Sequence, residues 1–557
     1  MSDSTRNDPN LDEQGAPSRG IGGVPGDDVA SPGLAEDGTP RTPSGIPGLD
    51  QLLGGGMPKG RATLVSGTAG NGKTLAALHF STAGAEQAGE GAVFISFEEP
   101  ASQLRRTMAS LNIDAGKLEE EGKLAVIEAV PQPSPEEIAA GHDIISNEAE
   151  LLDGSFDLSG LLARIDSAAK RVNAGRVALD SLAGLAGMFL NADANAHAHT
   201  RLRTPLARLI NALKARGLTM LITAERDVDE GPLTRYGLEE FVADGVILLR
   251  SNKHGERVRR TVEIKKLRSC AHAPGESPLV IQAGRGLEVL PLSQIRLSQQ
   301  SGIERTSSGV PELDRMTGGG LLRDSVVLIS GATGTGKTLI STHFTNGGIK
   351  TGDNVLFLAF EESREQLVRN AAAFGIDFPR LQQSGKLKLE AIYPESLSLE
   401  GHLLRITQQV EKHKPDRLII DSLSALERIG PDFAFRQFLI ALAAFVKRNR
   451  VTTLLTAGGG SFGDETRISQ QHISTLTDTI ILLRYVDTQG RVERSLTLLK
   501  MRGSGHAREH RRYRIGDNGI VLAGPKGDGG RNAAGERMHV TPEGVDVVAM
   551  PPAGHGT

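Results

Sequence analysis

Cysteine is almost missing from this chain: of 557 residues, only Cys270 is one. A disulfide framework within the chain and a cysteine-based zinc site are both excluded, and the usage fits a reducing cytosol. A lone cysteine of this kind is expected to be inert. Long apolar runs are missing too, and no stretch approaches the length of a membrane span. The opening MSDSTRNDPN is polar and acidic, without the apolar segment of a signal peptide. The expected location is the cytoplasm. An excess of positive charge is also lacking, the formal net charge being −4. There is no electrostatic footprint for non-specific nucleic-acid binding, short of a local basic stripe.

What is present is an ordinary soluble composition, 38% hydrophobic and 23% charged, on a chain long enough for more than one domain. The chain is written twice. SGIPGLDQLLGGGMPKGRATLVSGTAGNGKTLAALHF from residue 44 returns as SSGVPELDRMTGGGLLRDSVVLISGATGTGKTLISTHF from residue 307. FISFEEP pairs with FLAFEES, RVALDSLAGL with RLIIDSLSAL, DGVILLR with DTIILLR, and IKKLRSCAH with LLKMRGSGH, all in the same order. The expected domains are 43–294 and 295–523. Gly, Pro, Asp and Ser dominate residues 1–42 and the tail 524–557, both expected to be disordered or flexible, with a short apolar patch from Val545 to Met550.

Within each copy, short β-branched runs alternate with helical patterns, as in ATLVSG, KTLAALHFSTAGAEQ and AVFISF. The fold class expected is α/β, each domain a mostly parallel sheet flanked by helices. Leu202, Leu206, Leu209 and Leu213 recur at helical spacing, as do Phe435, Phe438, Leu442 and Phe445; both sets read as core faces.

GTAGNGKT runs from Gly67 through Thr68, Ala69, Gly70, Asn71, Gly72 and Lys73 to Thr74, followed by Leu75. GATGTGKT runs from Gly331 through Ala332, Thr333, Gly334, Thr335, Gly336 and Lys337 to Thr338, followed by Leu339. Both fit G-x-x-x-x-G-K-[ST] between a predicted strand and a predicted helix. The glycines let successive N–H groups turn inward around phosphates, and the helix points its positive end at them. Lys73 and Lys337 are expected on the β and γ phosphates of ATP, and Thr74 and Thr338 on Mg²⁺. VALD and LIID end in Asp180 and Asp421, where a second Mg²⁺-organising carboxylate belongs. Glu98 with Glu99, and Glu361 with Glu362, close two other strands. A solvated strand end explains one such pair, but its recurrence favours a base that takes a proton beside a Mg²⁺-nucleotide.

These features together resemble the KaiC family, double-domain RecA-like ATPases and autokinases of the circadian clock. The resemblance runs from about Pro43 to Ala523 and rests on both P-loops, both FEE strand ends, DSLSAL, AFRQF, HISTLTDTIILL and KMRGSGH. It implies two tandem RecA-like P-loop NTPase domains in a double-ring homohexamer, with ATP at subunit interfaces. Glu98 and Glu361 fall on the general bases, Glu361 also on a metal position, and Glu99 and Glu362 support them. Residues reaching a neighbour's nucleotide fall on Lys266, Leu267, Arg268 and His272, and on Arg494, Lys500, Met501, Arg502, Ser504 and His506. Basic side chains there would act as arginine fingers. A further nucleotide position falls on Ser110, and the base-stacking position, Trp in well-known members, falls on Phe374. Cys270, Pro274, Gln282 and Ala283 depart from the family at first-domain nucleotide positions. The resemblance allows a KaiB-like partner on the first domain, whereas the tail does not look like the segment that binds KaiA.

In QHISTLTDTI, residues 471–480, Ser474 and Thr475 match the family's autophosphorylation sites without a gap. Ser and Thr are common before strands, so the register carries the reading. With Asp244 and Asp478 aligned, LEEFVAD stands where HISTLTD stands, and Ser474 matches Glu240. A fixed charge in one copy meets a hydroxyl in the other that phosphate would charge. The first domain is then expected only to hydrolyse ATP. A nearby Thr-Asp of the family falls on Ser469 and Gln470, which predicts altered reversal of phosphorylation. A RecA- or DnaB-type DNA motor is the alternative. Against it stand the mild acidity and a candidate central loop made a poor phosphate binder by Gly460, Asp464 and Glu465. A scaffold using ATP only to assemble is the third reading.

Overall fold

The computed structural model describes residues 38–85, 89–129, 158–187, 198–229, 231–234, 243–254, 257–292, 302–458, 473–488, 491–507, 509–517, 519–523, 537–541 and 544–548. Residues 1–37, Glu240, Gly460, Asp464, Glu465, Ser469 and Gln470 lie outside them, as does most of the tail.

Each copy folds around a nine-stranded sheet. In the first, the strands are β1 (Ala62–Gly67), β2 (Gly91–Ser96), β3 (Leu124–Glu128), β4 (Ala174–Asp180), β5 (Thr219–Glu225), β6 (Gly245–His254), β7 (Arg257–Leu267), β8 (Glu276–Gln282) and β9 (Gly286–Val289). Their spatial order is β3-β2-β4-β5-β1-β6-β7-β8-β9. The stretch from β3 to β6 is parallel, and the remainder closes as antiparallel hairpins. In the second copy β10 (Val326–Gly331), β11 (Val355–Ala359), β12 (Leu387–Ala391), β13 (Arg417–Asp421), β14 (Thr452–Gly458), β15 (Thr479–Thr488), β16 (Arg491–Met501), β17 (Arg511–Gly516) and β18 (Gly519–Leu522) repeat that order as β12-β11-β13-β14-β10-β15-β16-β17-β18. Strands covered on both faces must be apolar throughout, and ATLVSG and VLFLA are buried from end to end. The P-loops leave the C-terminal ends of the central strands β1 and β10, where open α/β sheets place their ligands.

Helices α1 (Lys73–Ala83), α2 (Ala101–Ser110), α3 (Ala198–Ala215), α4 (Lys337–Lys350), α5 (Arg364–Ala372), α6 (Leu399–His413) and α7 (Asp432–Arg448) pack against these sheets. Leu206, Leu209 and Leu213 of α3 are buried, as are Phe435, Phe438 and Leu442 of α7, so the two helical stripes face the core. The side chain of Leu202 is not among those described. Among the described residues two arginines are the largest fully buried side chains, Arg176 on β4 and Arg417 on β13. Arg417 donates to Asp353 (2.7 Å) and to the carbonyls of Ser307 (2.7 Å) and Phe344 (2.9 Å), so its buried charge is paired and hydrogen-bonded. Arg176 binds the carbonyls of Pro43 and Phe80 in the same way. Each arginine thereby ties the segment leading into its domain to the P-loop helix.

The first domain's structure reaches back to Arg41–Thr42, which pairs with Met57–Pro58. Within the tail, Arg537–Thr541 and Gly544–Val548 pair as an antiparallel hairpin, drawing on the apolar patch read there. The two domains also touch. Arg259 of β7 donates to Glu400 (2.7 Å) and Gln437 (2.8 Å) of the second domain, and its guanidinium lies over the Phe433 ring. Leu290 is buried in the same cluster as Leu399, Leu403 and Phe435. Among the described residues, no helix is long and apolar enough to cross a membrane.

Candidate nucleotide sites and the hydroxyl-bearing turn

In the second copy, Gly334 and Gly336 take φ of +80° and +95°, values that side chains resist and that let the N–H groups of the loop face one centre. Helix α4 starts there without a side-chain cap, its first N–H groups left toward the loop. Lys337 Nζ donates to the carbonyls of Gly331 (2.8 Å) and Ala332 (3.1 Å). Burial lowers its pKa, while Asp421 and Glu361 oppose that shift.

Asp421 ends β13 with its carboxyl pushed up by burial; hydrogen bonding to Thr456 (2.5 Å) and Thr338 partly offsets this. Among the described residues no well-aligned hydrogen bond reaches its buried Oδ2. An orphaned carboxylate oxygen beside a P-loop threonine is what a hard, oxygen-preferring dication needs, so Thr338 and Asp421 fit Mg²⁺. Glu361 accepts a 2.6 Å hydrogen bond from Ser422, the residue after Asp421. Glu362 is raised by burial and by the charges of Asp421 and Glu361, with the Asn370 amide (2.9 Å) opposing.

The first copy repeats the constellation. Gly70 and Gly72 adopt φ of +76° and +92°. Asp180 is raised by burial and relieved by Thr223 (2.5 Å) and Thr74. Ser181 donates to Glu98, and Glu99 is raised by burial and by its neighbours Asp180 and Glu98. One difference stands out: Lys73 Nζ bonds the Thr68 carbonyl (3.0 Å) and lies 3.8 Å from Glu225 at the end of β5. The matching position at the end of β14 is Gly458, with no side chain to offer.

The chain belongs to the KaiC family. A family model described as the KaiC ATPase matches residues 42–294 and 306–527. The circadian clock protein KaiC3 of Synechocystis sp. is 42% identical over 489 residues, covering 88% of this chain and 93% of that protein. Circadian clock oscillator proteins KaiC are 42% identical in Prochlorococcus marinus, over 86% of this chain and 92% of theirs, and in Synechococcus elongatus, over 85% and 87%. As a KaiC-family member the chain is an ATPase, and each matched segment contains one of the two phosphate loops.

In this KaiC-family chain the basic residues matched to fingers do not gather at their own P-loops. Lys266, Lys500 and Arg502 lie at the start of the central strands. Asp478 accepts from the Val326 N–H at the start of β10 (2.9 Å) and from Lys447 (2.9 Å), and its carbonyl accepts from Arg502 N–H (2.9 Å). Lys500 Nζ and Arg502 Nη2 donate to carbonyls of the helical turn at 473–476, where Ser474 is half-buried and Thr475 exposed. Lys266 donates likewise to Ala243 (3.0 Å). Arg494 differs from the group, since its Nε is 3.4 Å from the Gly334 carbonyl of its own P-loop. Lys500 lies six positions further along β16, about 20 Å of strand.

Leu267 and Met501 are buried, leaving their backbone as the part able to meet a ligand. Arg268 donates its N–H to the Asp244 carbonyl (2.9 Å), and the His272 ring bonds the Ala273 carbonyl (3.1 Å). Ser504 accepts from Arg305, and His506 is half-buried in the same segment. Ser110, at the end of α2, is exposed and donates to the Thr107 carbonyl; Phe374, just past α5, is half-buried against the core. Sequence reasoning passed over Ser181, Ser422, Thr223, Thr456, Glu225 and Asn370. A usable signal existed for the serines alone, in the repeated DSL after each strand.

Proposed function

We propose that this chain is an ATP-hydrolysing serine/threonine autokinase working as a double-ring homohexamer. Its first domain hydrolyses ATP, its second phosphorylates Ser474 and Thr475, and the resulting phosphorylation state is a circadian-clock or signalling output. The observation that carries the reading is the placement of the acceptor turn. Ser474 and Thr475 sit with Lys500 and Arg502 at the end of the central strand opposite their own P-loop. In a ring, a rotated neighbour can present its phosphate loop to that end. The relatives named as clock proteins support the output.

In the second domain Glu361 takes the proton of the attacking hydroxyl. A bond forms from Oγ to the γ-phosphorus while the bond from that phosphorus to the β,γ-bridging oxygen breaks, leaving ADP. Lys500 and Arg502 meet the charge that develops. In the first domain water is the acceptor, Glu98 the base, and inorganic phosphate the product. Burial and the neighbouring carboxylates push Glu99 and Glu362 toward the neutral form. Thr74 with Asp180, and Thr338 with Asp421, would hold Mg²⁺, which neutralises phosphate charge when bound.

Intact and peptide mass spectrometry after incubation with Mg-ATP tests the reading on wild type, Ser474→Ala, Thr475→Ala and Glu361→Gln. Phosphate is expected on 474 and 475 and lost from Glu361→Gln. Phosphate confined to other residues, or none in wild type, would overturn the autokinase assignment.

A further inference from the structure

The two phosphate loops are held from behind in different ways. Three residues side by side on three neighbouring strands, Tyr485 on β15, Arg494 on β16 and Tyr513 on β17, form a row in the second domain. They donate to three successive carbonyls of the loop. Tyr485 Oη is 3.3 Å from the Thr333 oxygen, Arg494 Nε 3.4 Å from that of Gly334, and Tyr513 Oη 2.5 Å from that of Thr335. The row is packed as a unit: Arg494 lies over the Tyr485 ring at 5.6 Å, and Tyr513 is buried in the core. Burial pushes the Tyr513 phenol well up, so it remains a donor throughout the physiological range. Gly334 suits the place where the row meets the loop through its φ of +80°, and a Cβ there would come within 2.8 Å of Tyr485 Oη.

The matching row in the first domain is Ser251, Arg260 and Leu279. Leu279 has no hydroxyl to offer, and Arg260 Nε is buried without a hydrogen-bond partner among the described residues. The first loop is tied instead through Asn71, whose amide donates to Thr68 Oγ1 (2.9 Å) and to the Leu249 carbonyl (3.2 Å). Among the described residues no side chain donates to the carbonyls of Ala69, Gly70 or Asn71.

In a trans peptide unit the C=O and the following N–H point in opposite directions. Pinning the carbonyls of Thr333, Gly334 and Thr335 outward therefore aims the N–H groups of Gly334, Thr335 and Gly336 inward, where phosphate oxygens bind. We propose that Tyr513, with Tyr485 and Arg494, is a positioning residue that sets the second phosphate loop in its anion-binding shape before nucleotide arrives, a device the first loop lacks. The ordering cost that a ligand otherwise meets on binding is removed in advance. This rests on the reading that the second loop binds ATP, and it assigns the difference between the two loops to residues behind them.

Hydrogen exchange read by mass spectrometry on the full-length chain tests this with ADP as the probe, since peptides over 67–74 and 331–338 report each loop in one molecule. Tyr513→Phe keeps the ring and removes the donor. The expected result is faster exchange at 334–336 without ligand and a half-saturating ADP concentration about 5- to 10-fold higher at the second loop, the scale of one hydrogen bond. The first loop should stay within about twofold of wild type in the same sample, the ordinary margin for a site that shares no partner with the mutation. Second-loop exchange and ADP protection both unchanged would overturn the proposal, and so would equal shifts at the two loops, which mark general destabilisation. Should Tyr513→Phe not fold, Tyr485→Phe at an exposed position decides, with a smaller rise confined to the second loop expected and no change counting against. ADP failing to protect the second loop in wild type would overturn the nucleotide reading as well, whereas protection unaltered by both variants overturns this proposal alone.

Discussion

Lys500 Nζ lies 2.7 Å from the carbonyl oxygens of both Ser474 and Thr477. One ammonium thus closes the turn that carries the two hydroxyls. Arg502 adds a third bond, 2.9 Å to the Thr475 carbonyl. Burial and the nearby Arg502 lower the pKa of Lys500, with Asp478 opposing. These bonds tie the turn to the two basic residues, so under the proposed function acceptor and finger would meet a neighbouring nucleotide together. Lys500→Met should lower the rate of phosphate incorporation at 474 and 475 by about tenfold or more, the cost of a misplaced acceptor. Lys500→Arg should recover part of it. Phosphopeptide occupancy against time in Mg-ATP measures both, and incorporation at the wild-type rate in Lys500→Met would sink the idea.

Ser422 orients the Glu361 carboxylate through a 2.6 Å hydrogen bond, and Ser181 does the same for Glu98. Ser422→Ala should leave the base in place but free to turn, slowing autophosphorylation by about tenfold, less than the 10²- to 10⁴-fold scale for losing a base outright in Glu361→Gln. Ser181→Ala should instead slow first-domain hydrolysis, read as inorganic phosphate release in a Glu361→Gln background. Equal effects of each serine on both activities would show that the pairs do not act within their own domains.

The parts of this molecule tied to short-range chemistry were legible in the chain. A phosphate loop needs its glycines, lysine and threonine in one stretch, so Gly331 to Thr338 announces itself, and a doubly buried strand such as VLFLA cannot hide its apolar character. The duplication fixed which features recur, and the helical stripes of α3 and α7 pointed to the core as their spacing implied. Arg417 gave no such sign, because an arginine at a strand start is ordinarily solvated. Its burial follows from Asp353 and the Phe344 carbonyl, brought to it only by the fold. Arg259 and Glu400 are 141 positions apart, and no local pattern links them. Tyr513 meets the Thr335 carbonyl through geometry across strands, where residue type alone is silent.

Arg259 pins the two domains together, with 16% of its side chain and 12% of that of Glu400 exposed. Its bonds to Glu400 and Gln437 and its place over Phe433 leave little for water to replace. Arg259→Ala should lower stability by about 1.5–3 kcal/mol, the range for hydrogen bonds to a charged partner. The loss falls at the junction, so calorimetry should show the unfolding transition broaden or split as the domains uncouple. Arg259→Lys keeps the charge but not the fork and should restore only part. A single transition with unchanged midpoint in Arg259→Ala would contradict this role.

Two histidines, His79 buried and His343 half-buried, give the protein an acid-side weakness whose sign can be worked out. His79 accepts the Leu287 N–H on Nε2 (3.0 Å), and burial lowers its pKa, the Gly45 backbone partly opposing. His343 is lowered by burial and by Lys350, and no hydrogen bond reaches its Nε2. A Cβ on Gly286 or Gly519 would collide with these rings, so each ring packs directly against a glycine backbone. With folded values below the unfolded one near 6.5, the folded chain binds fewer protons once pH drops beneath about 6.5. Their contribution is therefore complete above that pH and is lost progressively as pH falls toward the folded values. Thermal midpoints of wild type should fall between pH 7 and 5, beyond what other groups contribute. His79→Gln with His343→Gln has no imidazole to protonate at these two sites and should show a shallower fall, even if its midpoint at pH 8 is lower. Parallel curves for the two proteins would mean that these rings meet their protons without cost.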